Sequence, residues 1–583
     1  MKRLISISTI ALSISAIVFT VFGSIKPISN PDLWWHLKTG EYIVENHVLP
    51  EYDPFSYTSP KEYSIRNKVV LSGYYLTQII YYAAHRTAGF LGILSLRFII
   101  IALFIALIYY RSRATGGSHL LSLSCTAISM LGFLPIYMLD RPQILSFLFF
   151  CALMALLERY RDKNRLSYLL MPLMISWGWF HGGYIFGDII LLIFIAANFI
   201  QRGFNKNNLP PFFWALGGIA CSFLSPNYWL PFFTILDLKE KHDFLWFVAE
   251  YQTTFSALAT GTDAVLFVML GIAITTSVTF FSGFVKRKIY LPDVLILLFT
   301  ASSALMFMRN TAFFMTGLMP MAVTYIVGLQ PYFKNVRFGV THKLFAIIFL
   351  ASSLGYWSLR LYREGNDFSI DRLAFYPQEA AAFIEQKQFR GPMFNEYDWG
   401  GYLIWRLYPK HKVFIDGRVL SEAYLQEYLT AARGSLEEKN GIPEYKRVLD
   451  SVGVQFILQP ILQKGGSIQP LMTRLLTDNQ WQPVYLDNLS YIFARTNGAN
   501  QDIIKEFGIS KRDFIGKLFQ GLGQTVTEDR ADARARVALG ELYLFVNDLT
   551  RARQLFLEAR ALNPNHPAVI RNLQFIEQRG YRN

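Results

Sequence analysis

The chain has 583 residues, 52% hydrophobic and only 17% charged, a balance too apolar for an ordinary soluble protein. Its 56 Lys and Arg against 42 Asp and Glu leave a formal charge of +14. The basic residues cluster in short stretches between apolar runs, where they report membrane orientation, so no nucleic-acid partner is expected.

A helix needs roughly 20 apolar residues to cross the hydrocarbon core. About eleven runs approach that template. They are Leu4–Phe22, Gly89–Tyr110, Leu120–Leu139, Ile144–Leu157, Leu166–Phe180, Tyr184–Ile200, Pro211–Leu224, Ala264–Phe284, Ile289–Met308, Ala312–Leu329 and Leu344–Trp357. The first has a basic start but lacks an A-x-A site, so it reads as a retained span with a cleaved signal peptide as the alternative. Val69–Ala84 mixes Tyr, Gln and Ser into its apolar face and reads as an interfacial or re-entrant helix. With the N-terminus cytoplasmic, Arg111 and Arg113, the Glu158–Arg165 stretch, Arg202 and Lys206, Lys286 to Lys288, and Lys334, Arg337 and Lys343 all fall on one side. The region after Trp357 is then extracytoplasmic. Cys125, Cys151 and Cys221 lie inside apolar runs, so their spacing builds neither a disulfide framework nor a thiolate metal site.

The polar motifs collect on the opposite side. Residues 24–88 form the first outer loop, where Asn30–Pro60 carries Asp32, Trp34, Trp35, His36 and Asp53. Asp32 and Asp53 are candidates for a general base or for holding a divalent cation such as Mg or Mn. A plain alternative for Asp32 is the acidic first turn of an interfacial helix, Asp32–Val44. Further outer turns are Asp140–Gln143, Trp179–Asp188, Ser225–Trp229 and Met308–Asn310, and Arg97 and Asp188 lie within spans. Ionisable groups in or beside a span are costly and therefore functional candidates. Guanidinium groups bind phosphate oxygens in pairs. Arg97, Arg141 and Arg309, with His36, His181 and Asn227, are therefore the candidates for a lipid phosphate or substrate. Each also has a structural reading: arginine snorkels, and His181 can bond a carbonyl.

The stretches NPDLWWHL, DPFSYT, RPQ, HGG, SPN, FNEYDWGGYLIWRL and KVFIDGR resemble a bacterial group of membrane proteins of the GT-C glycosyltransferase class, over roughly Met1 to Thr496. The resemblance implies a lipid-linked sugar donor and a glycan, lipid or protein acceptor. It also implies that the first-loop acid, Asp32 with Asp53 second, is the catalytic base or metal-associated residue. The paired-acid motif common in the class is absent, which leaves both the base and the cation open. EYDWGGY, Glu396–Tyr402, resembles in a few residues the WWDYG motif of oligosaccharyltransferase catalytic subunits. The implied fold is a polytopic α-helical membrane domain (residues 1–360) followed by an extracytoplasmic α/β domain (residues 361–500).

In that second domain the alternation predicts a helix at Glu379–Gln386, a strand at Pro392–Asn395, a helix at Trp399–Tyr408, strands at Lys412–Asp416 and Val454–Leu458, and a hairpin over Gln482–Arg495. Asp398, Asp416 and Arg418 are its candidate site residues, with helix capping by Asp398 as the alternative. Residues 501–583 form a helical segment. There Leu539, Gly540, Tyr543, Ala552, Phe556, Ala559 and Pro564 follow the spacing of a tetratricopeptide helix pair, with Arg536 at the missing aromatic position, and a capping helix is expected at Ala568–Gln578. Such a tail could recruit a protein partner. A transporter or flippase, or a non-catalytic envelope scaffold, are the rival functions.

Overall fold

A computed structural model of the protein describes residues 30–133, 140–163, 168–203, 209–234, 252–259, 265–333, 375–439 and 441–579. The predicted spans Leu4–Phe22 and Leu344–Trp357 lie outside the described residues, as does the basic stretch Lys334–Lys343. The chain divides into two compact units. One comprises Met1–Tyr52 and Tyr63–Arg372, the other Asp53–Glu62 and Leu373–Asn583.

The first unit is helical: α1 (Asp32–Asn46), α2 (Ile65–Ser72), α3 (Tyr75–Ala114), α4 (His119–Phe133), α5 (Gln143–Lys163), α6 (Leu170–Phe180), α7 (Tyr184–Arg202), α8 (Leu209–Ser222), α9 (Thr254–Ala259), α10 (Val265–Lys286), α11 (Leu291–Met306) and α12 (Met319–Leu329). Five helical stretches, Ile65–Ala114, Gln143–Arg161, Tyr184–Arg202, Val265–Lys286 and Met308–Tyr332, are long and apolar enough to cross a membrane, as befits a multi-pass membrane protein. α4, α6, α8 and α11 are apolar but shorter, at 11 to 16 residues. The predicted interfacial helix is two pieces, α2 and the first part of α3. Within α3 the helix breaks at Ala88 and Gly89, where Gly89 takes φ +56° and the position a Cβ would take is open space. Only glycine adopts that conformation without penalty, so the break falls where the predicted span begins.

Helices in lipid approach through small residues and interlocking aromatics. Gly317 abuts the Phe150 ring, Gly132 abuts Met315, and Phe186 stacks on Phe313 at 4.1 Å. Residues Phe314–Leu318 form a π-helical turn. Such a turn disturbs the backbone hydrogen-bond ladder, which lipid leaves unrepaired. Here the Thr316 and Gly317 carbonyls accept from Arg111, which is also paired with Glu158 at 2.7 Å.

The second unit contains α13 (Gln378–Lys387), β1 (Met393–Asn395), α14 (Gly400–Leu407), α15 (Glu422–Ala432), a short hairpin of β2 (Glu438–Lys439) and β3 (Ile442–Pro443), α16 (Glu444–Ser451), β4 (Phe456–Pro460), α17 (Pro470–Thr477), β5 (Trp481–Leu486) and β6 (Ser490–Arg495). The sheet order is β1-β4-β6-β5, with β1 parallel to β4 and the remaining pairs antiparallel. The predicted strand Lys412–Asp416 is not part of this sheet. Its Val413 instead makes an isolated parallel bridge with Ser56, because the segment Asp53–Glu62 packs in this unit.

The chain ends in α18 (Gln501–Phe507), α19 (Lys511–Glu528), α20 (Ala533–Phe545), α21 (Leu549–Leu562) and α22 (Pro567–Gln578). Asp532 caps α20 through the Arg534 and Ala535 amides. Gly540 leaves room for the Phe556 ring, so α20 and α21 pack as a close pair, and α22 packs on α21.

Candidate functional site

The polar turns of the first unit meet at one end of its helices. The N–H of Asp32, in the first turn of α1, donates to Asn30 Oδ1 at 3.1 Å, and Trp35 Nε1, one turn on, donates to Asp32 Oδ1 at 3.2 Å. Asp32 Oδ2 pairs with Arg141 Nη2 at 2.9 Å, and Arg141 Nε donates to Asn30 Oδ1 at 3.3 Å. Asn30 in turn donates to the backbone carbonyl of Asp140, whose carboxylate receives Arg97 Nε at 2.9 Å and Arg97 Nη2. Three separated pieces of sequence are thereby interlocked around two carboxylate–guanidinium pairs, Asp32–Arg141 and Asp140–Arg97.

A line of rings runs beside it. His36 lies against Trp35 and 5.5 Å from the Tyr74 ring, and Tyr74 lies 5.1 Å from the His181 ring. Gln78 Nε2 donates to His36 Nδ1 at 3.1 Å. His181 Nδ1 accepts from the Gly183 amide at 2.8 Å and lies 2.7 Å from Ser146 Oγ, which accepts from Trp177 Nε1. An Nδ1 that accepts from an amide leaves the ring proton on Nε2. Burial, and then the charge of Arg309, push the His181 pKa down to about 3, so the ring is neutral at physiological pH. Arg309 itself is half-buried in the 3-10 turn Met308–Asn310. Asn227 is buried and accepts from Ser72 Oγ at 2.6 Å, a joint between the SPN turn and α2. Asp188 is buried inside α7 and accepts from Ser222 at 2.8 Å.

Asp53 belongs to the other unit. Its two oxygens receive Arg418 Nη1 at 2.7 Å and Nη2 at 3.2 Å, together with the amides of Phe55 and Ser56. Arg418 Nε and Nη2 each lie 2.7 Å from an Asp416 oxygen. Burial alone would raise the Asp53 pKa, but the charge and hydrogen bonds of Arg418 outweigh it and hold the carboxyl below its usual range.

No family model matches the sequence, and no curated protein matches it either. Solved structures do. The Archaeoglobus fulgidus oligosaccharyltransferase in complex with Zn and sulfate aligns with a TM-score of 0.53 at 12% identity, covering 98% of this chain and 86% of that chain. The fold is oligosaccharyltransferase-like. The same archaeal enzyme tethered to an acceptor peptide with an NVT sequon gives 0.49 at 12% identity, covering 84% of this chain and 74% of that one. The archaeal oligosaccharyltransferase AglB from Archaeoglobus fulgidus, with an inhibitory peptide and a dolichol-phosphate, gives 0.48 at 13%, covering 85% and 74%.

Solvent access distinguishes three of these Asp–Arg pairs. Side-chain exposure is 21% and 22% for Asp32 and Arg141, against 4% and 2% for Asp140 and Arg97 and 0% and 2% for Asp53 and Arg418. Of these three, Asp32–Arg141 is the one with side chains open to solvent. Arg97, a candidate phosphate ligand from sequence, is paired with Asp140. Both Asp53 oxygens are held by the Arg418 guanidinium. Among the described residues no group of three His, Cys, Asp or Glu side chains is arranged to hold a metal ion.

The EYDWGG stretch has a packing role that spacing could not disclose. Asp398 lies in the 3-10 turn Tyr397–Trp399 and, contrary to the capping alternative, makes no cap for α14; it pairs with Lys464 at 2.6 Å. Its neighbour Glu396, missed from sequence, receives Tyr428 Oη at 2.6 Å, and burial raises its pKa to about 7. A Cβ on Gly400 would sit 2.2 Å from the Ile415 carbonyl oxygen, so YDWGG and FIDGR pack backbone to backbone.

Proposed function

We propose that the chain is a membrane glycosyltransferase that moves a sugar from a polyprenyl phosphate or diphosphate to an acceptor hydroxyl on a glycan, lipid or protein. It would work on the outer face of a bacterial cytoplasmic membrane, with the N-terminus cytoplasmic and the second unit outside. The observation that carries this reading is the solvent-accessible Asp32–Arg141 pair at the polar end of a bundle with an oligosaccharyltransferase-like fold.

In this reading the acceptor oxygen attacks the anomeric carbon and its proton passes to the Asp32 carboxylate. The bond from that carbon to the phosphate oxygen breaks, and the phosphate leaves with the electron pair. Arg309 and the neutral Nε2–H of His181 supply charge and a donor for the departing phosphate, while Arg141 holds Asp32 in place. Arg97 and Asp53 act at a distance, by holding the DRPQ turn and the DPFSYT segment. The helical tail, read as a tetratricopeptide-like pair, would recruit a protein partner.

The test compares wild type with Asp32→Asn and Arg309→Ala in a transfer assay using purified full-length protein and a labelled polyprenyl-phosphate sugar. Loss of about 10²–10⁴-fold in rate is expected for Asp32→Asn, the usual worth of a positioned base. Undiminished transfer by correctly inserted variants would remove Asp32 and Arg309 from the mechanism. Translocation of the labelled lipid without transfer would establish the flippase reading, and neither activity in wild type would leave a scaffold.

A further inference from the structure

The end of the first unit opposite Asp32 carries a second polar cluster that glycosyl transfer does not use. Its residues come from α3, α5, α7, α10, α11 and α12. The carboxylates of Glu158 and Asp293 are taken up by Arg111 at 2.7 Å and Arg161 at 2.8 Å. Tyr325 also donates to Asp293 at 2.8 Å. Neither acid is left for the remaining cations.

Lys286 ends α10 with its Nζ against Gly328, where a Cβ would come within 2.1 Å of it. The chain then turns through Arg287 at φ +51°, closed by Arg287 N to Phe284 O and Lys288 N to Gly283 O. Arg287 and Lys288 are both exposed. Among the described residues no carboxylate pairs with Lys286, Arg287 or Lys288. Arg202 completes the cluster, its guanidinium 5.5 Å from the Tyr160 ring centre and 5.4 Å from that of Tyr290.

Beside these cations the apolar side chains are outermost. Phe284 is 80% exposed and Ile200 69%. In a bilayer such side chains contact acyl tails. Tyrosines concentrate at the headgroup level, and Tyr290, with the buried Tyr160, flanks Arg202. Cations at helix C-termini complement the macrodipole and orient insertion. Those roles account for positive charge at the ends of α7 and α10, but they do not require the charges to converge from two helices beside uncovered apolar side chains. A phosphate with two acyl tails matches both halves of the surface.

We infer that the surface formed by Arg202, Lys286, Arg287 and Lys288 with Phe284 and Ile200 is a binding site for an anionic phospholipid. The phosphate sits among the cations and the tails lie along Phe284 and Ile200. The inference is independent of the proposed glycosyl transfer.

The experiment uses full-length protein purified in neutral detergent and titrated with phosphatidylglycerol or phosphatidylcholine, with the lipid-bound fraction read by native mass spectrometry. Wild type should bind phosphatidylglycerol on the order of a hundredfold more tightly, given three or more cations near a membrane surface. The triple variant Lys286→Gln, Arg287→Gln, Lys288→Gln should bind the two lipids alike. Lys286→Arg with Lys288→Arg should keep the preference, which separates loss of charge from loss of fold. Equal binding of both lipids by wild type, or an intact preference in the triple variant, would overturn the site. Displacement of phosphatidylglycerol by equimolar inorganic phosphate would overturn the lipid assignment.

Discussion

Replacing Arg418 with Met removes the cation between Asp53 and Asp416 while keeping an unbranched apolar stem of similar reach. All three side chains are at most 3% exposed, so water cannot take over the lost interactions. Removing one partner of a buried ion pair costs about 3–5 kcal/mol because the other charge is left uncompensated. Other attachments of the segment Asp53–Glu62 include Tyr57 N to Val413 O at 3.2 Å, Val413 N to Phe55 O at 3.0 Å, Tyr57 Oη to Met393 O at 2.9 Å, Thr58 Oγ1 to Phe414 O, and the Phe55 ring against Tyr408. Its opening equilibrium should therefore rise by about a hundredfold to a few thousandfold, at 1.36 kcal/mol per factor of ten. Hydrogen-exchange mass spectrometry on the full-length protein, following peptides over residues 53–62 and 413–418, measures this directly.

The pH dependence supplies a sign to check. In wild type the Asp53 pKa is depressed, so its contribution is present above the ordinary value of 3.8 and lost only as pH falls through the depressed value. In Arg418→Met, burial remains without its counterweight and raises the pKa above 3.8. That contribution is then unfavourable at neutral pH and relieved on acidification, so protection should be greater at pH 5 than at pH 8. Exchange of residues 53–62 unchanged from wild type at pH 7, or loosening of the variant that is equal at both pH values, would refute the reasoning.

Arg97→Ala leaves Asp140 buried without its cation, and the amount of inserted protein in membrane fractions should fall sharply. Arg141→Ala should leave that amount unchanged and lower transfer by about 10²–10³-fold, the usual cost of removing a positioned electrostatic group, measured with the labelled donor. Gly400→Ala drives a methyl group into the Ile415 carbonyl, which cannot swing aside. It should cost about 1–3 kcal/mol or more, read as faster tryptic cleavage between residues 393 and 418. Glu396 keeps its proton to a pKa of about 7 when folded, against 4.5 when free, so its contribution to stability declines as pH rises from 4.5 to 7. Glu396→Gln should lessen the fall in thermal midpoint between pH 5 and pH 8.

The features readable along the chain are those set by near neighbours. The apolar runs declare helices because some twenty apolar residues have few other destinations. The boundary at Gly89 follows from a residue that alone takes φ +56° at little cost, and the Gly540–Phe556 spacing announces two helices that pack closely. β1 and the β5–β6 hairpin lie where alternation and turn residues put them. Strand Lys412–Asp416 failed the same test because its hydrogen-bonding partner lies in the segment Asp53–Glu62, and no local pattern encodes a pairing across that separation.

The candidate site divides in the same way. From sequence, Asp32 and Asp53 are both candidate acids of one outer loop, Asp32 ahead of Asp53, and Arg97 and Arg141 are both candidate phosphate ligands near one surface. Their chemistry differs because of what packs on each: Arg418, remote in sequence, claims Asp53; Asp140 claims Arg97; and Asp32 with Arg141 retains access to solvent. Composition and spacing therefore determined the membrane class and the residue types available for chemistry. Tertiary structure decided which of them are buried in ion pairs and which stay open to solvent, because burial and ion pairing are long-range properties that arise only once distant segments meet.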